Sequence, residues 1–99
     1  MIVEVAKRMS VPAEAILGRS EAPSLTPIRQ IYWTLLRDVF GFNAKQIARM
    51  NNRSVSSIYA GIKHIEDSLE MDDAKIVRLW ERVKDLPGKM EMMQLKIEN

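Results

Sequence analysis

Ile58, Ile62, Ile65 and Leu69 stand at i, i+4, i+7 and i+11, a spacing that lines four apolar side chains along one face of an α-helix and divides them between the two faces of a strand. The same period recurs through most of the chain, and glycine, proline and capping residues cut it into short pieces. The expected architecture is therefore all-α, a compact bundle of five to six short helices. A chain of 99 residues has room for one domain with one modest core. We expect that domain to span residues 1–88 and to be followed by a tail.

Ile2, Val3, Val5, Ala6 and Met9 mark a first helix that breaks near Ser10, and Ser10 is placed to cap a short turn from Pro12 to Leu17 that Gly18 stops. Arg19 to Thr26 reads as a loop. Thr26 followed by Pro27 predicts an N-cap with proline at the first helical position, opening a long central helix to Phe40 whose polar stripe is only Gln30, Thr34 and Arg37. Gly41 ends it. Asn43 is expected to cap a short helix from Ala44 to Met50 with Ile47, Ala48 and Met50 inward, Asn51 and Asn52 to form a turn, and Ser54 to cap the next helix, Val55 to about Glu70. Asp72 or Asp73 then caps a last helix to Leu86, with Ile76, Val77, Trp80 and Val83 inward and Pro87-Gly88 as its stop. Residues 89–99, rich in methionine, satisfy neither a helical nor a strand period and carry no assignment beyond possible self-association.

Charge is unevenly distributed. Residues 27–64 hold Arg29, Arg37, Lys45, Arg49, Arg53 and Lys63 against the single acid Asp38, whereas the first 26 residues are neutral and the segment after 64 is acidic. A polyanion is drawn to that middle segment. There, two short helices joined by a tight turn, Ala44 to about Glu70, form a pattern expected of a helix-turn-helix that sends a helix N-terminus into the major groove. The small side chains of Val55, Ser56 and Ser57 permit close approach to base edges, where a serine donates or accepts and a valine meets a thymine methyl. Arg53 and Lys63 flank them as phosphate contacts that set register without reading sequence. Lys45 on the preceding helix, the capping Ser54, and Tyr59 one turn further on complete the expected DNA-contacting set.

These residues also resemble a known family, the C-terminal DNA-binding domain (domain IV) of the bacterial replication initiator DnaA, from about Val5 to Leu86. The resemblance is carried by Val5-Ala6 opening a helix and by Ile16-Leu17-Gly18-Arg19-Ser20 at the place of a leucine-leucine-glycine-lysine-serine segment. It continues through Pro27 and Arg29-Gln30 at the start of the long helix, Leu36-Arg37-Asp38, Gly41, Ile47, and Arg53 through Glu66. It implies that Arg29 reaches the minor groove and that Arg53 to Ser57 read the major groove and adjacent phosphates. It further implies sequence-specific binding in the bacterial cytoplasm, at the nucleoid, in replication initiation. Where the family has arginine-aspartate-histidine-threonine/serine-threonine-valine, this chain has Arg53-Ser54-Val55-Ser56-Ser57-Ile58, and its turn is one residue shorter with Asn51-Asn52 for a glycine pair. Without the aspartate and histidine, a different and weaker base pattern is implied.

Other function classes find little support. There is no Gly-x-x-x-x-Gly-Lys-Ser/Thr loop to cradle a nucleotide, no cysteine, and a single histidine, His64, with no second ligand or nucleophile at a productive spacing. Glu66, Asp67, Glu70, Asp72 and Asp73 lack the ligand and glycine pattern of a calcium loop. We therefore expect no enzyme activity, cofactor, metal or small-molecule substrate. No apolar run approaches the length needed to span a bilayer, and no membrane partner is expected. Trp33 and Trp80 are expected in the core rather than as stacking platforms. The competing reading is a helical protein-interaction module that never touches DNA.

Overall fold

Fourteen residues of helical sequence, Pro27 to the residue before Gly41, predict the central helix, and it forms two residues longer, at 16. The computed structural model describes residues 2–20 and 22–86, which make six α-helices and no strand: α1 Ile2–Met9, α2 Ala13–Leu17, α3 Leu25–Phe40, α4 Ala44–Asn51, α5 Val55–Glu70 and α6 Ala74–Val83. The all-α bundle expected from the apolar period is the observed fold. The tail 89–99 and the Pro87-Gly88 stop lie outside the described residues.

α3 begins at Leu25 with Ser24 at its N-cap, so Thr26 is inside the helix and Pro27 occupies its third position. Proline is tolerated there because the first four N–H groups of a helix have no intrahelical partner. Leu25, the first residue of the helix, is buried, which favours the early start. The polar stripe is narrower than expected: Thr34 is buried, its hydroxyl donating to the Gln30 carbonyl at 2.8 Å. Gly41 closes α3 in the left-handed conformation at φ 71, with its N–H on the Arg37 carbonyl and that of Phe42 on the Leu36 carbonyl. Gly41→Ala is expected to cost about 1 kcal/mol, because a Cβ is strained at positive φ; a urea unfolding midpoint measures it.

Around α3 the core gathers Val5, Ile16, Ile31, Leu35, Leu36, Ile47, Ile58, Ile65 and Val83, all but sealed from solvent. α5 lies against α3 and α4, while α1 closes on α2 and α6. Arg8 fastens that closure, donating from Nη1 to the Arg82 carbonyl at 3.0 Å and to Asp85 at 2.6 Å. Further expectations need correcting. Ser10 is not a cap: it takes the left-handed conformation at φ 60 just after α1, and Pro12 precedes α2 without any side-chain cap. Met50 is 49% exposed, and Asn51, the last residue of α4, takes the inward place, as the helical period from Ile47 requires. Val77 and Trp80 are half-buried, Trp80 against the rim of the core, while Trp33 is inside it, and regular helix ends at Val83 although Leu86 remains buried.

Candidate nucleic-acid interface

α4 and α5 owe their meeting angle to local chemistry. Asn43 and Gln46 form a reciprocal capping box at the start of α4: the Asn43 side chain accepts from the Gln46 N–H, and the Gln46 side chain accepts from the Asn43 N–H, each at 2.9 Å. At its end Asn52 adopts the left-handed conformation at φ 53, and the Arg53 N–H returns to the Ala48 carbonyl at 2.9 Å. The chain then extends at Ser54, whose hydroxyl accepts from the Ser57 N–H at 3.2 Å and so caps α5. The connection is Asn52, Arg53 and Ser54, one residue shorter than the expected turn because Asn51 stays helical.

This places the first turn of α5 outward. Ser56 and Ser57 are exposed; Ser57 shares a 2.8 Å contact with the Ser54 hydroxyl, and Ser56 makes no side-chain hydrogen bond among the described residues. Val55 is only half-open, packed along the edge of the core. Tyr59 is 66% exposed, and with Lys63 it borders a cleft of about 480 Å³ against Asn43 and Ala44 at the start of α4. Lys45, on that same first turn, is exposed.

The electrostatics of this face follow from a gap in the sequence: from 39 to 65 there is no acidic residue. Lys45 and Arg49, one helical turn apart on α4, are exposed with no ion pair among the described residues. Two other cations of the basic segment are engaged. Arg37 donates to Glu66 at 2.7 Å and to Asp38 at 2.9 Å, and the Glu66 hydrogen bond foremost holds its pKa above the usual arginine value. Lys63 meets Asp67 at 3.3 Å one turn on, but its side chain is 75% exposed, and a pair so open is worth little.

Arg29 is the main departure from expectation. Its side chain does not leave the fold; it is 6% exposed, with Nε on the Ile16 carbonyl at 3.0 Å, Nη2 on the Ala15 carbonyl at 2.8 Å and Nη1 on the Ser20 carbonyl. The cause is the brevity of α2. A helix of five residues leaves its last carbonyls without intrahelical partners, and a forked cation at a helix C-terminus satisfies several of them at once. Burial foremost, and then the nearby charge of Arg53, lower the Arg29 pKa. Arg53 is itself half-buried and donates from Nη2 to the Gly18 carbonyl.

A residue absent from the expected set joins the site here. Arg19, in the loop after α2, donates from Nη2 to the Asn52 carbonyl at 2.9 Å, so the loop and the α4–α5 connection hold each other through Arg19 and Arg53. Nothing local announces this, since the partners lie 33 and 35 positions apart. Arg49 was legible, standing four residues after Lys45 on a polar face.

Among the described residues no group of three histidine, cysteine or carboxylate side chains is placed to hold a metal, and no helix is long and apolar enough to cross a membrane. What the fold and this face define is a small all-α bundle that presents a capped helix start within a stretch, residues 39–65, that holds cations and no acidic residue. The chain is similar to the chromosomal replication initiator protein DnaA of Mycoplasma pneumoniae, with 26% identity over 74 residues, and to that of Mycoplasma genitalium, with 27% over 74 residues. Each match covers 75% of this chain but only 17% of the relative's length. No protein-family model matches the chain, and no solved structure does.

Proposed function

We propose that this chain is a double-stranded DNA-binding domain of replication-initiator type, spanning 1–88, in which α4 and α5 act as a helix-turn-helix and the first turn of α5 enters the major groove. The observation that carries the reading is the exposed Ser56-Ser57 turn, which follows Arg53 in a stretch, residues 39–65, that also holds the exposed Lys45 and Arg49 and no carboxylate. The likeness to two replication initiators supports it. Ser56 is the base reader, its hydroxyl unengaged; Ser57 and the edge of Val55 stand beside it. Ser54 caps, Arg53, Lys45 and Lys63 seat phosphates, and Tyr59 lies against the backbone from its cleft. Arg29 has no place in this contact set, since all three of its nitrogens are occupied by carbonyls.

The test is the salt dependence of binding to a random-sequence duplex. With three or four phosphates neutralised, the log–log slope is expected between about −2.7 and −3.6, at about −0.9 per contact. A flat response would replace this reading with that of a protein-interaction module. Selection from a random duplex library then tests reading: Ser56→Ala is expected to shift the preference at one base position by about 1 to 3 kcal/mol. An unchanged preference would move recognition away from Ser56.

A further inference from the structure

We propose that α6 and the start of α3 form a binding surface for an acidic segment of a partner protein, one aliphatic side chain of which enters the cleft beside Ile76. The proposal does not rest on the DNA-binding reading above, and its residues lie outside the DNA-contacting set.

Two structural features meet on this surface. The first is a stripe of charge. Lys75, Arg78 and Arg82 stand at i, i+3 and i+7 of α6, a spacing that aligns them along one side of the helix over about 10 Å. All three residues are exposed, and none of their charged groups has an ion pair or hydrogen bond among the described residues. The one acid of α6, Glu81, lies off that stripe and pairs with Lys84. The second feature is a cleft of about 460 Å³ at the Lys75 end of the stripe, bounded by Pro23 and Pro27 around the start of α3, Gln30 one turn on, His64 of α5 and Ile76 of α6. Ile76 is buried and the proline rings present only carbon, so these walls suit an aliphatic group. Between them the Gln30 amide is unspent: its Oε1 is buried without a hydrogen-bond partner, and its Nε2 has none among the described residues. Held by no partner, that amide is free to turn over about its last bond and offers the donor and acceptor that a peptide group matches.

Together these features select the class of partner. Carboxylates at helical spacing complement the stripe, an aliphatic neighbour fills the cleft, and the Gln30 amide meets backbone. A duplex fits poorly, because a cleft of this volume admits side chains and not a double helix. Asp73 also lines the cleft and repels phosphate; its Oδ1 accepts from the Lys75 N–H at 3.1 Å and the Ile76 N–H at 3.2 Å as the cap of α6.

The experiment is selection of a random peptide library against the full chain at low salt, followed by binding of the enriched peptides, synthesised and labelled, to wild type and variants. Enriched peptides are expected to carry two or three acidic residues beside an aliphatic one. Arg78→Glu combined with Arg82→Glu is expected to weaken their binding by about tenfold or more, whereas Arg78→Lys with Arg82→Lys keeps most of it, since the charge is retained. Gln30→Met is expected to weaken it by about threefold to tenfold, the worth of one hydrogen bond. Peptides without acidic residues, or equal binding to the charge-reversed protein at an unchanged melting temperature, overturn the proposal, and so does a library that yields no enriched sequence. Excess unlabelled duplex is expected to leave the bound peptide in place. Displacement by duplex would put the acidic peptide on the α4–α5 face and overturn the assignment to α6. Vesicles of phosphatidylglycerol that bind wild type but not the charge-reversed protein, with no peptide enriched, would give the stripe to a lipid surface instead.

Discussion

Arg29→Met is expected to destabilise the fold by about 2 to 4 kcal/mol, through loss of charge-assisted bonds to carbonyls that then have no donor. The methionine fills much of the arginine's volume, so the loss isolates hydrogen bonding from packing. The Ile16 carbonyl suffers most, because its bond to Nε is buried, while those of Ala15 and Ser20 are partly open and regain some water. Arg29→Lys is expected to fall in between: an ammonium keeps the charge near the end of α2 but cannot span three acceptors in a fork. Urea unfolding reads the stability, and duplex binding at a concentration where the variant stays folded reads the contact. An arginine inserted into a minor groove would give the reverse result, a slope reduced by about one with stability barely changed. That outcome would mean that the side chain swings out of the fold when DNA binds.

The second large effect concerns Gly61, on the face of α5 that meets α3. A Cβ built there would stand 2.7 Å from Cζ3 and 2.8 Å from Cε3 of Trp33, and 3.0 Å from Cγ of Gln30. The Gln30 side chain can give way, but the indole is 7% exposed and walled in by the core, so its ring cannot move without displacing neighbours. Gly61→Val is expected to cost about 3 kcal/mol or more, at or beyond the upper end of ordinary overpacking. Gly61→Ala is expected to cost less, even though alanine is the better helix former by about 1 kcal/mol. A glycine kept only for lack of selection would give the opposite sign for Gly61→Ala in thermal melts, and a stabilised variant would show that α5 can stand off from Trp33 without penalty. Because α5 also carries Ser56 and Tyr59, the valine variant is expected to lose duplex binding along with its fold.

Much of the bundle is legible in the sequence because helix limits are local events. Gly41 at the end of α3, the Asn43 cap, the αL asparagine at 52 and the Ser54 cap are each set by residues within four positions, and each appears in the structure where the pattern places it. Errors arose where a helix end depended on burial rather than capping. Leu25 draws α3 backward past the Thr26-Pro27 signal, and α2 starts with no side-chain cap at all, held by Ile16 in the core. In the candidate site the exposed serines and the cations on α4 follow from helical period, whereas Val55 is half-buried because the edge of the core reaches it.

Read alone, the sequence determines that the chain is helical, that its positive charge is concentrated between Arg29 and Lys63, and that a capped run of small polar residues opens the longest amphipathic helix outside the centre. Whether a given arginine faces DNA or the interior was decided only by tertiary structure. An arginine goes wherever unpaired carbonyls or phosphates compete best for its donors, and the carbonyls that hold Arg29 belong to a one-turn helix 13 and 14 residues upstream. The same holds for Arg19 and for the contact of Gly61 with Trp33: proximity between segments distant in the chain is a property of packing, and local periodicity contains no term for it.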